Sequence, residues 1–93
     1  MEKNIAVIGS GYWGKNLVRN FSELKALKTV CDLNEEVLHD FKNKYPEIHI
    51  TTSFREVLND PEIKGVVIAT PAVLHYNMVK EALNNEKDVF VEK

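Results

Sequence analysis

Cysteine occurs once in these 93 residues, at Cys31, so no internal disulfide can staple the fold. Cys31 lies in an apolar run and reads as a small core residue. Basic residues form no block. Twelve Lys and Arg against fourteen Asp and Glu leave a net charge of −2, which offers a nucleic-acid backbone nothing to hold. No apolar run approaches the about 18 residues of a membrane span, and Met1-Glu2-Lys3-Asn4 does not read as a signal peptide. His39 and His49 have no partners at metal-ligand spacing, so they read as surface or edge residues and no metal is expected. These absences suit a reducing cytoplasm and a chain that meets neither nucleic acid nor membrane.

Glycine is also scarce, and its placement is informative. Three of the four glycines fall in Gly9-Ser10-Gly11-Tyr12-Trp13-Gly14, directly after the apolar run Ile5-Ala6-Val7-Ile8. A buried strand running into G-x-G-x-x-G and then a helix is the fingerprint of a dinucleotide-binding turn. Gly9 would turn the chain off the strand, Gly11 would admit a pyrophosphate, and Gly14 would let the helix lie close to the sheet. The helix begins near Tyr12, so its unpaired N–H groups and positive dipole end face the phosphates. Asp32 follows eighteen residues after Gly14, at the end of the second apolar run, Leu27-Lys28-Thr29-Val30-Cys31. A carboxylate there can accept two hydrogen bonds from the adenosine ribose. The competing reading is an aspartate that caps the next helix.

Strand and helix patterns alternate along the whole chain, which predicts an α/β fold with a parallel sheet covered on both faces. Strands are expected at Ile5–Ile8, Leu27–Cys31, Ile48–Thr51, Gly65–Ala69 and Asp88–Val91. The helix from Tyr12 to Ser22 would bury Trp13, Leu17, Val18 and Phe21. The next would start near Asn34, bury Val37, Leu38 and Phe41, and break at Pro46. Ser53-Phe54-Arg55-Glu56 reads as a capping box opening a short helix that Asn59-Asp60-Pro61 ends. Thr70-Pro71 would open the last helix, which carries Leu74, Met78, Val79, Ala82 and Leu83. Right-handed crossovers then predict a five-stranded, doubly wound, Rossmann-like sheet of order 3-2-1-4-5, with the crevice at the carboxyl ends of the first and fourth strands.

Two further stretches narrow the reading. Ala69-Thr70-Pro71 with His75 four residues past the proline leads into Val89-Phe90-Val91-Glu92-Lys93. From Ile5 to Lys93 the chain resembles the Gfo/Idh/MocA family, named for glucose–fructose oxidoreductase and inositol dehydrogenase, which carries T-P-x-x-x-H after the fourth strand and E-K-P after the fifth. Gly11-Tyr12-Trp13-Gly14-Lys15-Asn16-Leu17-Val18-Arg19 also resembles members that act on nucleotide-activated sugars. The resemblance implies an NAD-binding domain of an oxidoreductase that moves hydride between nicotinamide and a sugar, sugar-nucleotide or cyclitol hydroxyl carbon. It implies that Gly9, Gly11 and Gly14 form the pyrophosphate turn, with the amides of Tyr12 and Trp13 facing the phosphates. It places Asp32 on the ribose, Thr70 and Pro71 along the crevice, and Glu92 beside the nicotinamide ribose. Lys93 would lie beside the reacting hydroxyl as the catalytic residue. His75 is a candidate for a cofactor-side role, with packing or capping as its alternative.

Asp32 repels a 2′-phosphate, and Leu33-Asn34 offers no arginine to bind one, so NAD is expected over NADP. Glu86 stands where the family usually has a glycine that closes the last helix in the left-handed conformation. Glutamate there would cost about 1 kcal/mol, unless Asn84 or Asn85 takes over the cap. Asp88 replaces a frequent histidine at an exposed position. The family continues into a second domain that builds the substrate pocket, so residues 1–93 are expected to form the cofactor domain alone. The fifth strand would then be an exposed apolar edge that a second copy can pair with. The alternative functions are a non-catalytic dinucleotide sensor, which the short chain supports and Glu92-Lys93 argues against, and an S-adenosylmethionine-binding methyltransferase domain, which fits Thr70-Pro71 and Glu92-Lys93 less well.

Overall fold

The computed structural model describes residues 3–9, 12–70 and 72–91, without the side chains of Tyr12, Trp13 and Ala72. The elements are β1 (Ile5–Ile8), α1 (Tyr12–Glu23), β2 (Leu27–Cys31), α2 (Glu35–Lys44), β3 (His49–Thr51), α3 (Phe54–Asn59), β4 (Gly65–Ile68), α4 (Ala72–Asn84) and β5 (Asp88–Val91). All pairings are parallel, in the order β3-β2-β1-β4-β5 that the crossover rule predicts. This is a Rossmann-like α/β sheet.

Successive residues of β1 feed opposite faces. Ala6 and Ile8 pack with Val57, Leu58, Ile63, Val66, Ile68 and Ala82 under α3 and α4. Val7 packs with Val18, Val30, Leu38 and Val67 under α1 and α2. Burial on both faces is why β1 and β4 read as unbroken apolar runs. β2 departs from simple alternation. Ile5 pairs with Leu27 but Ala6 pairs with Thr29, so Lys28 is an extra, bulged residue. The bulge lets Leu27 and Val30, three residues apart, share one face. It also aims Lys28 Nζ at Asp60 Oδ2 and Glu62 Oε2, at 3.5 and 3.8 Å.

One expectation of detail is corrected. The Ser53 capping box is half made. Ser53 Oγ accepts from the Glu56 N–H at 3.2 Å, but the Ser53 N–H goes to Thr51 Oγ1 at 3.1 Å. The Glu56 carboxylate instead accepts the Thr51 hydroxyl and meets His49 Nε2 at 3.1 Å. Those two partners hold its pKa below the usual carboxylate value. In α4, Ala82 is buried and Met78 and Val79 pack on the core, but Leu74 and Leu83 are 42% and 58% exposed. The inward stripe runs through 75, 78, 79 and 82, and among the described residues no element covers the flanks of α4.

α1 and α4 end alike. The Lys25 N–H bonds Ser22 O and the Ala26 N–H bonds Phe21 O; the Glu86 N–H bonds Leu83 O and the Lys87 N–H bonds Ala82 O. Both are Schellman closures with a left-handed residue after the helix, Lys25 at φ 59° and Glu86 at φ 62°. Glu86 therefore takes the strained position itself, and neither Asn84 nor Asn85 relieves it. The next residue, Lys87, is buried, and its Nζ donates to Asp60 O and Ile63 O, both at 2.7 Å. Burial pushes the ammonium pKa down. Replacing Glu86 with glycine removes the left-handed strain, so Glu86→Gly is expected to raise unfolding stability by about 0.5–1 kcal/mol in urea titrations, with an unchanged m-value.

Candidate cofactor site

The sheet order makes one crevice. β1 and β4 are neighbours, yet β1 leads to α1 on one face and β4 leads to α4 on the other. Their carboxyl ends therefore part at the topological switch point, where ligands of open α/β sheets bind. The ends are laced together: the Ala69 N–H donates to Ile8 O and the Gly9 N–H donates to Cys31 O, each at 2.8 Å.

Gly9 has φ +84°, and a Cβ built on it would lie 2.8 Å from Thr70 Cγ2 and 2.9 Å from Thr70 N. Both the backbone conformation and the space require glycine there. α1 starts at Tyr12 with no acidic residue in its first turn, and Gly14 is buried. An anion at this end meets backbone N–H groups and no carboxylate from the helix, which is the donor set a pyrophosphate needs.

Asp32 lies at the end of β2, partly exposed, with its N–H donating to Thr51 O at 3.2 Å. Its Oδ1 accepts from the Asn34 N–H at 2.8 Å. The capping role belongs to Asn34, whose Oδ1 accepts from the Glu36 and Val37 N–H groups at 2.9 and 3.3 Å. The reading of Asp32 as the cap of α2 is thereby set aside. Leu33, beside it, is 86% exposed. Cys31 is buried, and burial together with nearby Asp32 and Glu56 pushes its thiol pKa to about 11, so it stays protonated and serves as core.

Thr70 lies against Gly9, and half-buried His75 reaches it: His75 Nε2 is 2.5 Å from Thr70 O. The Thr70 hydroxyl donates to Met78 Sδ at 3.3 Å. The fold thus brings Gly9, Gly14, Asp32, Thr70 and His75 to one end of the sheet. Gly11, Pro71, Glu92 and Lys93, with the side chains of Tyr12 and Trp13, lie outside the described residues. Met78 was read from the sequence only as core, because its spacing shows an inward helical stripe and says nothing of what its sulfur accepts. Among the described residues no group of metal-ligating side chains forms.

Residues 3–93 match the sequence profile of the Gfo/Idh/MocA family, described as an oxidoreductase family with an NAD-binding Rossmann fold. The chain belongs to this family. The uncharacterized oxidoreductase YrbE of Bacillus subtilis is 32% identical over 89 residues, spanning 94% of this chain and 26% of that protein. Scyllo-inositol dehydrogenase of Lactobacillus casei, solved with NAD(H) and scyllo-inositol, superposes with a TM-score of 0.89 at 25% identity, covering 100% of this chain and 28% of that one. GenD2 from gentamicin A biosynthesis, solved with NAD, gives a TM-score of 0.89 at 29% identity over 100% of this chain and 27% of that one. The chain thus spans about a quarter of the length of such relatives. NAD is the cofactor of this family domain, and the methyltransferase alternative falls with the family assignment.

Gly9→Ala is expected to lower stability by about 2–4 kcal/mol, because the new methyl meets backbone and the left-handed φ becomes strained. Gly65→Ala, whose methyl would meet only the flexible tip of Ile5 at 3.0 Å, is expected to cost about 1 kcal/mol. Urea unfolding of the two variants checks the order.

Proposed function

We propose that this chain is the NAD-holding domain of a cytoplasmic dehydrogenase that oxidises a hydroxyl carbon of a sugar or cyclitol. The observation that carries the reading is Asp32 at the end of β2, relieved of capping by Asn34 and set at the same sheet end as the Gly9 turn. The scyllo-inositol dehydrogenase neighbour, solved with NAD(H) and scyllo-inositol, supports the substrate class. The single buried cysteine supports a reducing compartment. The substrate pocket would be built by residues beyond these 93.

In this reading Gly9, Gly11 and Gly14 let the backbone at the start of α1 close on the pyrophosphate, with the amides of Tyr12 and Trp13 as donors. Asp32 accepts from the ribose hydroxyls, and Thr70 and Pro71 border the crevice. Glu92 holds the nicotinamide ribose. NAD, when bound, supplies the hydride acceptor. Lys93 would orient the substrate hydroxyl and offset the negative charge that develops on its oxygen when that carbon is oxidised. Asp32 faces a 2′-phosphate as a like charge, which favours NAD over NADP.

Calorimetric titration of the chain with NADH should show saturable binding, about tenfold or more weaker in Asp32→Ala, and weaker still for NADPH on wild type. A folded chain that binds no NADH, or prefers NADPH, overturns the reading. We further propose that β5 is a pairing edge between copies. It ends the sheet with Phe90 and Val91 58% and 44% exposed, an apolar edge of the kind that recruits another strand. Sedimentation should show a concentration-dependent dimer that Phe90→Lys abolishes, and a monomer at every concentration overturns this.

A further inference from the structure

We infer that His75 is a positioning residue that fixes the cofactor turn through Thr70 and does not itself hold the cofactor. The inference rests on the cofactor reading above.

A backbone carbonyl only accepts, so the 2.5 Å contact between His75 Nε2 and Thr70 O requires the proton on Nε2. That nitrogen is committed to the protein, and it can neither accept a proton from a substrate nor donate to a phosphate. One turn further along α4, Met78 Sδ takes the hydroxyl hydrogen of the same threonine at 3.3 Å. The first half of α4 therefore holds Thr70 by two separate atoms, its carbonyl oxygen and its Oγ1.

With both ends held, the orientation of Thr70 is set, and so is what it presents to Gly9. Its Cγ2 and N stand 2.8 and 2.9 Å from where a Gly9 Cβ would lie. Gly9 is at once the first glycine of the fingerprint and the residue whose N–H is tied to Cys31 O. A chain of two contacts thus runs from His75 to Thr70 to Gly9. Loosening its first link lets the β4–α4 connection move against the turn that receives the pyrophosphate. The ring is needed for one N–H at one distance, and a side chain that offers the same donor should replace it.

The test compares His75→Gln, whose amide N–H can reach the Thr70 carbonyl, with His75→Leu, which keeps bulk and has no donor. Both are measured for NADH affinity well below their melting temperatures, with folding checked by circular dichroism. His75→Leu should weaken NADH binding about 5–20-fold, the equivalent of one lost hydrogen bond, and His75→Gln should stay within about threefold of wild type. The 15N spectrum of the neutral wild-type ring should show the Nε2–H tautomer. Glutamine weakening binding as much as leucine in folded protein, or an Nδ1–H tautomer, overturns the inference. A folded wild-type chain that binds no NADH overturns instead the cofactor reading, and is recognised because the failure is already in wild type; the tautomer then still decides the His75–Thr70 bond.

Discussion

The closest constraint in this fold is the contact between Gly9 and Thr70, where two chains leaving adjacent parallel strands pass with no room for a methyl group. β1 and β4 are held side by side in register from Ile5 with Gly65 to Ile8 with Ile68. Beyond Ile8 the chains must diverge to opposite faces, because α1 covers one side of the sheet and α4 the other. Divergence from a close start makes the crevice, and its width at the root is set by one missing Cβ. Both the start of α1 and the placement of Asp32 follow from that closeness. Gly9 N–H is bonded to the carbonyl of Cys31, the residue just before the acid.

Strain and rigidity are distributed unevenly between the two ends of the sheet. At the end away from the crevice, Asn4 bonds Ala26 O through its N–H and receives the Lys64 and Gly65 N–H groups on its carbonyl, so β1 is tied to both neighbours before it begins. The same end holds the two left-handed closures at Lys25 and Glu86 and the buried ammonium of Lys87 on two carbonyls. Each helix that returns to this end stops in one tight motif, and the following strand starts at a fixed height. At the crevice end the backbone bonds Ala69 to Ile8 and Gly9 to Cys31 are joined by side-chain contacts: Thr70 to Met78, His75 to Thr70, Asp32 to Asn34. A site that must admit a ligand is thus carried on strands whose register is fixed from the far end.

The strands and their order were legible because burial on both faces leaves runs such as Gly65-Val66-Val67-Ile68 that no amphipathic helix would show. β1, β2 and β5 fall on the residues that the pattern predicts, and β3 and β4 differ by one residue at an end. Of the candidate site, the positive-φ turn at Gly9 and the place of an acid, Asp32, at the end of β2 were legible, since backbone conformation and charge are properties of residue type. What stayed hidden depends on geometry across elements. The Lys28 bulge has no signature in Leu27-Lys28-Thr29, where a strict alternation is equally consistent. Glu56 carries the capping-box spacing, but Thr51 and His49, brought beside it by the β3 pairing, compete for its carboxylate and win. Lys87 reads as a surface cation by type and becomes a buried tie only because the loop after α3 turns its carbonyls toward it. Leu74 and Leu83 are apolar by type and lie exposed on α4, which the composition of the helix does not show.

Asp32 and Asn34 divide two tasks that one aspartate could not perform together. A helix cap must point its oxygen at the N–H groups of the first turn, and Asn34 does so twice. A residue that serves the crevice must instead keep its carboxylate at the end of β2. Asp32 accepts the Asn34 N–H in a local turn, and Leu33 between them is exposed. The neutral amide takes the purely structural bonds, and the charge is kept where repulsion of an added phosphate matters. Exchanging the two residues would preserve composition and a competent cap, since aspartate caps as well as asparagine. It would move the negative charge off the strand end, and with it, on the function proposed above, the basis for choosing between the two dinucleotides.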